Sequence, residues 1–142
     1  MRTQVIAHEL GHALMPGWAF APRLAPEDTA RITGFQNCLV RDFELSGVTE
    51  QRAVVTLSEN WADALSARMV LKYSRGQTAQ TTRDSLLLWS QTWCAAGTPQ
   101  YTPLSTDPHS TPYLRVNGTI LSLPNFYYVF GCPIDPRRVC GI

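Results

Sequence analysis

No stretch of the chain approaches the roughly 20 consecutive apolar residues of a membrane span, so no membrane-crossing helix is expected. Strong charge of one sign is also missing. The 12 Lys and Arg residues nearly cancel the 11 Asp and Glu, for a formal net charge of +1, and no nucleic acid or other polyanion partner is implied. Lys72 is the single lysine. No C-x-x-C pair occurs. Cys38, Cys94, Cys132 and Cys140 lie far along the chain from His8 and His12, and they read as disulfide cysteines rather than metal ligands. Four cysteines allow three pairings, and all three stay open at this point. Disulfides would indicate an oxidising compartment. The sequon Asn117-Gly118-Thr119 agrees with that. No apolar leader segment precedes residue 4, so no signal peptide is expected. A functional helix starting there suggests a chain cut from something longer, or a shortened paralogue.

What remains is an ordinary globular composition, 44% hydrophobic and 16% charged over 142 residues, enough for one domain with a modest core. The periodicity is helical. An apolar-rich segment, Val5–Leu14, is stopped by Pro16-Gly17. A second helix is expected over about Glu27–Glu44, with Ile32, Phe35, Leu39 and Phe43 on one face, ended by Ser46-Gly47. Val54-Val55-Thr56-Leu57 is a short β-branched run. Ser58 is a candidate N-cap for a helix over about Glu59–Ser74, whose apolar positions are Ala62, Leu65, Met69 and Val70. Thr82 or Thr81 is expected to cap a helix over about Arg83–Ala95, with Leu86, Leu87, Trp89, Trp93 and Cys94 as core candidates. Residues 97–112 read as loop. Thr111-Pro112 starts a short helix to about Ile120, and Ser122 is a candidate cap for Leu123–Phe130.

Three histidines are few, and two of them fall in His8-Glu9-Leu10-Gly11-His12. On a helix, His8 and His12 lie one turn apart on one face. Two imidazoles so placed can hold one Zn²⁺ ion at about 2.0–2.1 Å, with Glu9 beside the metal as a general base for the attacking water. Two surface histidines on an amphipathic helix are the plainer reading. A catalytic zinc takes three protein ligands. Glu59 and Asp63 are spaced i, i+4 at the start of a predicted helix. Glu59 could be the third ligand, and Asp63 could accept the N–H of a ligand histidine. Two acids in a first helical turn also serve the helix dipole with no metal at all.

His8-Glu9-x-x-His12 followed by Glu59-Asn60-x-Ala62-Asp63 resembles the signature pair of the neprilysin and endothelin-converting-enzyme family of zinc metallopeptidases. Phe35-Gln36-Asn37-Cys38, Trp93-Cys94 and Thr106-Asp107-Pro108-His109-Ser110 are similar to further family segments, in the same order. The likeness runs over about residues 4–140. The chain departs from the pattern at Ala13-Leu14-Met15, at Ser58 and at Ile142, and its spacings between motifs are shorter.

The resemblance implies a mainly α chain, the helical C-terminal part of a thermolysin-like zinc metallopeptidase catalytic domain, without its N-terminal lobe and substrate-binding strand. It implies one Zn²⁺ on His8, His12 and Glu59, with Glu9 as base and Asp63 orienting a ligand histidine. His109 would donate to the developing oxyanion while Asp107 holds it, and Arg115 would grip a substrate carbonyl. On spacing alone, His109 reads as a loop histidine and Arg115 as a surface arginine. The resemblance also implies a Cys38–Cys140 disulfide, with Cys94 and Cys132 free or paired with each other. Peptide substrates, cleaved on the amino side of hydrophobic residues, and an extracellular or cell-surface setting follow from the family as well. Two rivals stand beside this reading: a catalytically impaired, zinc-binding or interaction module, and a structural helical domain with coincidental motifs.

Overall fold

The computed structural model describes residues 2–17, 24–93 and 106–141. Seven helices run through them: α1 (Arg2–Ala13), α2 (Pro26–Leu45), α3 (Glu50–Val55), α4 (Leu57–Tyr73), α5 (Ala79–Gln91), α6 (Pro112–Leu121) and α7 (Pro124–Phe130). No strand occurs among the described residues. Among the described residues, no helix is long and apolar enough to cross a membrane. Prolines open α2, α6 and α7 at positions whose N–H needs no helical partner. The αL residue Gly131 closes α7.

Several boundaries differ from the sequence reading, and the caps explain why. The β-branched run is helical: Thr49 caps α3 by accepting from Arg52 N, and Val54-Val55 end that helix. Thr56, not Ser58, is the N-cap residue of α4, and Ser58 lies inside the first turn. Thr78, not Thr81 or Thr82, caps α5, accepting from Thr81 N at 3.1 Å. Ser122 is the C-cap of α6 rather than the N-cap of α7, which starts after Leu123. Of the core candidates on α5, Leu86 and Trp89 are buried and Leu87 is exposed. Cys94 lies outside the described residues.

Helix α4 is the hub. On one side Ala67 joins Leu86, Trp89, Ile120, Leu123 and Val129 from α5, α6, α7 and the connection before α7. On the other side Trp61 and Ala64 pack with Phe35, Leu39 and Cys140. A third side of α4 takes α1, the most extensive helix–helix contact in the structure. There Gly11 lies so close to α4 that a Cβ would stand 2.8 Å from Ala62 Cα. Trp61 Nε1 donates to Gly11 O across the same contact at 3.0 Å.

The C-terminal tail is fastened to α2 twice. A disulfide joins Cys38 to Cys140 across a separation of 102 residues. Closing a loop of that size contributes on the order of 4–5 kcal/mol in the chain-entropy account. Arg138 donates to Asp42 Oδ1 (3.1 Å), Ser46 Oγ (3.0 Å) and Leu45 O (2.9 Å) at the end of α2. Among the described residues Cys132 is exposed and forms no disulfide. The sequon sits inside α6 with Thr119 fully buried, so it is not presented on an exposed loop.

Two predictions follow from this packing. Gly11→Ala should destabilise the chain by about 1–3 kcal/mol in chemical denaturation, because the clash is with backbone and cannot rotate away. Helix propensity alone favours alanine by about 1 kcal/mol, so an equally or more stable variant would show that the close approach is unimportant. Asp42 is wholly buried, and that burial lifts its carboxyl to about 6 against the opposing pull of Arg138. The folded chain therefore holds this proton more tightly than the unfolded chain, whose Asp titrates near pH 4. Stability from the neutral carboxyl is complete below about pH 4 and lost as pH rises through about 6. Between those limits the parent should lose on the order of 2 kcal/mol more than Asp42→Asn, read from paired melting curves.

Candidate metal centre

The close passage of α1 over α4 sets two i, i+4 pairs face to face. His8 and His12 come from α1, Glu59 and Asp63 from α4. His8 Nε2 lies 3.3 Å from Glu59 Oε2, and His12 Nε2 lies 3.2 Å from Glu59 Oε1. The two imidazole Nε2 atoms are 3.2 Å apart. A tetrahedral ion with bonds of about 2.0–2.1 Å needs ligand–ligand edges of about 3.3–3.4 Å. The two Glu59 distances end on different oxygens, and with one donor atom taken from each side chain all three fall within 4.8 Å of one another, so the trio is grouped closely enough to hold one ion. An N₂O donor set suits zinc among the common divalent ions.

Asp63, with no exposed surface, supports this trio from below. Its Oδ1 is 2.9 Å from His8 Nδ1, a close ionic pair in which the ring N–H is not aimed straight at the oxygen. Arg115 of α6 holds the same carboxylate with two nitrogens, Nε to Oδ2 at 2.7 Å and Nη2 to Oδ1 at 2.9 Å. Nη2 also reaches Glu59 Oε2 at 3.2 Å. Arg115 is buried, so it is not the surface arginine that its spacing alone suggests. Its guanidinium carbon lies 3.7 Å over the Trp93 ring, which also stands 5.3 Å from the His8 ring.

His109 comes from the irregular segment before α6. Its Nε2 is 3.4 Å from Glu59 Oε2. Its Nδ1 is 2.8 Å from Asp107 Oδ1, and its backbone N–H donates to the same oxygen at 2.9 Å. Asp107 is an acceptor, so Nδ1 carries the hydrogen and Nε2 is the nitrogen turned toward the site. Glu9 is exposed on α1, next in sequence to the buried His8.

The electrostatics favour a cation at this spot. Burial pushes the His8 imidazole down, but the close carboxylates of Asp63 and Glu59 outweigh it and the group rises to about 9. Burial pushes the Glu59 carboxyl up, yet the hydrogen bond to His8 and the charges of His109, His12 and Arg115 hold it below the usual carboxylate range. A metal bound here would compete with that proton, so its binding should release one and strengthen as pH rises.

His8, His12, Glu59, Asp63, Asp107, His109 and Arg115 are thus linked by contacts in one neighbourhood, Glu9 adjoins it only through its sequence position beside His8, and the disulfide cysteines lie at the α2–tail junction. Sequence reasoning missed the role of Gly11. A lone glycine inside an otherwise apolar helix was its one signal, since such a glycine commonly marks a close approach. It also missed the Trp93 platform, which nothing in the local pattern announces.

This is a helical domain with a candidate single-metal centre shared between two packed helices. A model of Peptidase family M13 matches residues 2–138, and the chain belongs to that family. Endothelin-converting enzyme 1 of Rattus norvegicus is 29% identical over 99 residues, 64% of this chain and 12% of that protein. The Bos taurus protein of the same name is 30% identical over 99 residues, again 64% of this chain and 12% of its own length. Neprilysin-1 of Caenorhabditis elegans is 38% identical over 60 residues, 38% of this chain and 8% of that protein. The matched region spans at most 12% of these relatives. No solved structure matches the chain.

Asp63→Asn keeps the shape of the side chain but removes its charge from His8 and Arg115. It should weaken Zn²⁺ binding about 10–100-fold in competition with a chromophoric chelator. Unchanged affinity would show that Asp63 does not support the ligand histidine.

Proposed function

We propose that the chain is the zinc-bearing C-terminal part of a metalloendopeptidase catalytic domain, hydrolysing peptide bonds of short peptides. The observation that carries this is the convergence of His8, His12 and Glu59, whose donor atoms lie within 4.8 Å of one another where two helices meet. Membership of a peptidase family supports it. His8, His12 and Glu59 would hold the zinc. Bound there, zinc supplies Lewis-acid polarisation of the scissile carbonyl and acidification of water.

The remaining work falls to side chains. Glu9, next to a ligand but not one itself, takes the proton of the attacking water and passes it to the leaving amine. His109 turns Nε2 toward the site while Nδ1–H is held by Asp107, so it donates to the developing oxyanion as the doubly protonated imidazolium, whose Nε2 also carries a hydrogen. Arg115 spends Nε and Nη2 on Asp63 and Glu59, which leaves its Nη1 edge for a substrate carbonyl. Asp63 orients His8. Cleavage on the amino side of hydrophobic residues rests on the family resemblance. An extracellular or cell-surface setting is supported by the Cys38–Cys140 disulfide.

One observation favours a second reading, a zinc-binding module without peptidase activity. Ile6 and Leu10 on the metal helix are 58% and 51% exposed and line an open apolar groove with Met69 and Val70 of α4, a surface that suits an interaction module.

The test is zinc stoichiometry on the purified chain, with cleavage of a quenched fluorescent peptide assayed with and without a chelator. One zinc per chain and chelator-sensitive cleavage are expected. Glu9→Gln should keep the zinc and lower cleavage by about 10²–10⁴-fold, because it removes the base and no ligand. A variant as active as the parent would sink the mechanism. One zinc with no cleavage by the parent would favour the second reading.

A further inference from the structure

The inference here rests on the reading in which His109 faces the reacting carbonyl. His109 is the most exposed of the three histidines, with about half of its side chain open to solvent, and it sits on irregular chain rather than on a helix. Its bond to Asp107 spans only two residues of the same segment. That bond fixes the ring relative to its own loop and says nothing about where the loop stands over the metal helices. At 3.4 Å, the approach of Nε2 to Glu59 is too long to set that position.

Two other contacts tie the segment to α3 and α4. Arg52 Nη2 of α3 donates to the backbone carbonyl of His109 at 2.6 Å. Ser110 Oγ, the next residue, donates to Asn60 Oδ1 of α4 at 3.0 Å. Asn60 Nδ2 donates in turn to Thr56 Oγ1 at 3.0 Å, and Thr56 Oγ1 lies 3.1 Å from the backbone carbonyl of Arg52. The contacts close a ring from Arg52 through His109, Ser110, Asn60 and Thr56 back to Arg52. Asn60, Ser110 and Thr56 are buried. Asn60 directly follows the candidate ligand Glu59, so the ring is registered to the metal centre by one peptide bond.

We propose that Arg52 and the Asn60–Ser110 pair are positioning residues that hold the His109 ring over the Glu59 carboxylate. None of the three touches the reacting atoms. A carbonyl clamp on one side and a buried hydroxyl on the other stop the segment from rotating about its own axis. Misplacing a catalytic group by about 1 Å costs roughly a hundredfold in rate, so the clamp is felt in turnover.

The experiment uses the full chain and the variants Arg52→Ala, Arg52→Lys and Ser110→Ala, the last removing one hydroxyl. Nuclear Overhauser contacts between the His109 ring and the Glu59 side chain should be present in the parent. They should be lost in Arg52→Ala and Ser110→Ala while the His8–His12 contacts persist, and Arg52→Lys should recover part of the signal. Unchanged His109 contacts overturn the proposal. Because this readout needs no turnover, it decides the question even if the parent cleaves nothing, an outcome that would defeat only the peptidase reading. Where cleavage is measurable, each alanine variant should lower kcat roughly ten- to hundredfold with KM nearly unchanged. In a His109→Ala background the same changes should have no further effect on kcat. An equal loss in that background would mean the residues act through something other than His109, and the proposal falls.

Discussion

The closeness of α1 to α4 at Gly11 and Ala62 is the constraint on which the rest of the structure depends. Helices usually pack with axes 8–10 Å apart, set by the side chains between them. Here one helix contributes no side chain at the contact, and the Cβ it lacks would stand 2.8 Å from backbone. The Trp61 indole, bonded to Gly11 O, fixes α1 against rolling. With separation and rotation both set, His8 and His12 face Glu59 and Asp63 within 3.3 Å of their partners.

That arrangement brings two carboxylates into the interior, an unfavourable step unless their charge is matched. Arg115 answers it. Its planar guanidinium engages Asp63 bidentately and Glu59 with the same nitrogen, which a lysine could not do. Trp93 lies against the guanidinium at 3.7 Å, and a cation over an indole face gains attraction where water is excluded. The polar residues of α4 are likewise matched one by one. Asn60 meets Ser110 and Thr56, and Ser66 meets the Trp89 indole at 2.9 Å. A helix so charged can be the hub of the fold because its polar groups have partners supplied by other elements.

Local signals carried the reading of the metal helix, of α2 and of α6. Each has a strong start or stop nearby: Pro16-Gly17, Pro26 with Glu27-Asp28, Thr111-Pro112. The errors lie at caps. Thr49, Thr78 and Thr111 all cap through a side-chain oxygen, but Thr and Ser are frequent near Ser58, Thr81 and Ser122 as well. Which hydroxyl does the capping depends on where packing starts the helix. The short helix α3 was invisible because β-branched Val54 and Val55 argue against a helix locally. It forms because Ala53 is buried and Thr49 caps it. Leu87 and Arg115 exchange the places that composition would assign them, one outside and one inside.

The sequence by itself determined the helical class, the pairing of two histidines on one helical face, and the candidate ligand and acid pair one turn apart on a second. These follow from periodicity and spacing within single elements, where the helix period alone decides which residues share a face. Only the tertiary structure decided that the two faces meet at ligand distance, that Arg115 turns inward, and that His109 is delivered by a loop clamped from α3 and α4. Those outcomes depend on the separation and rotation between elements, which are set by contacts such as Gly11 on Ala62 and Arg52 on the His109 carbonyl. Such contacts join residues about 50 positions apart, and no local pattern encodes them.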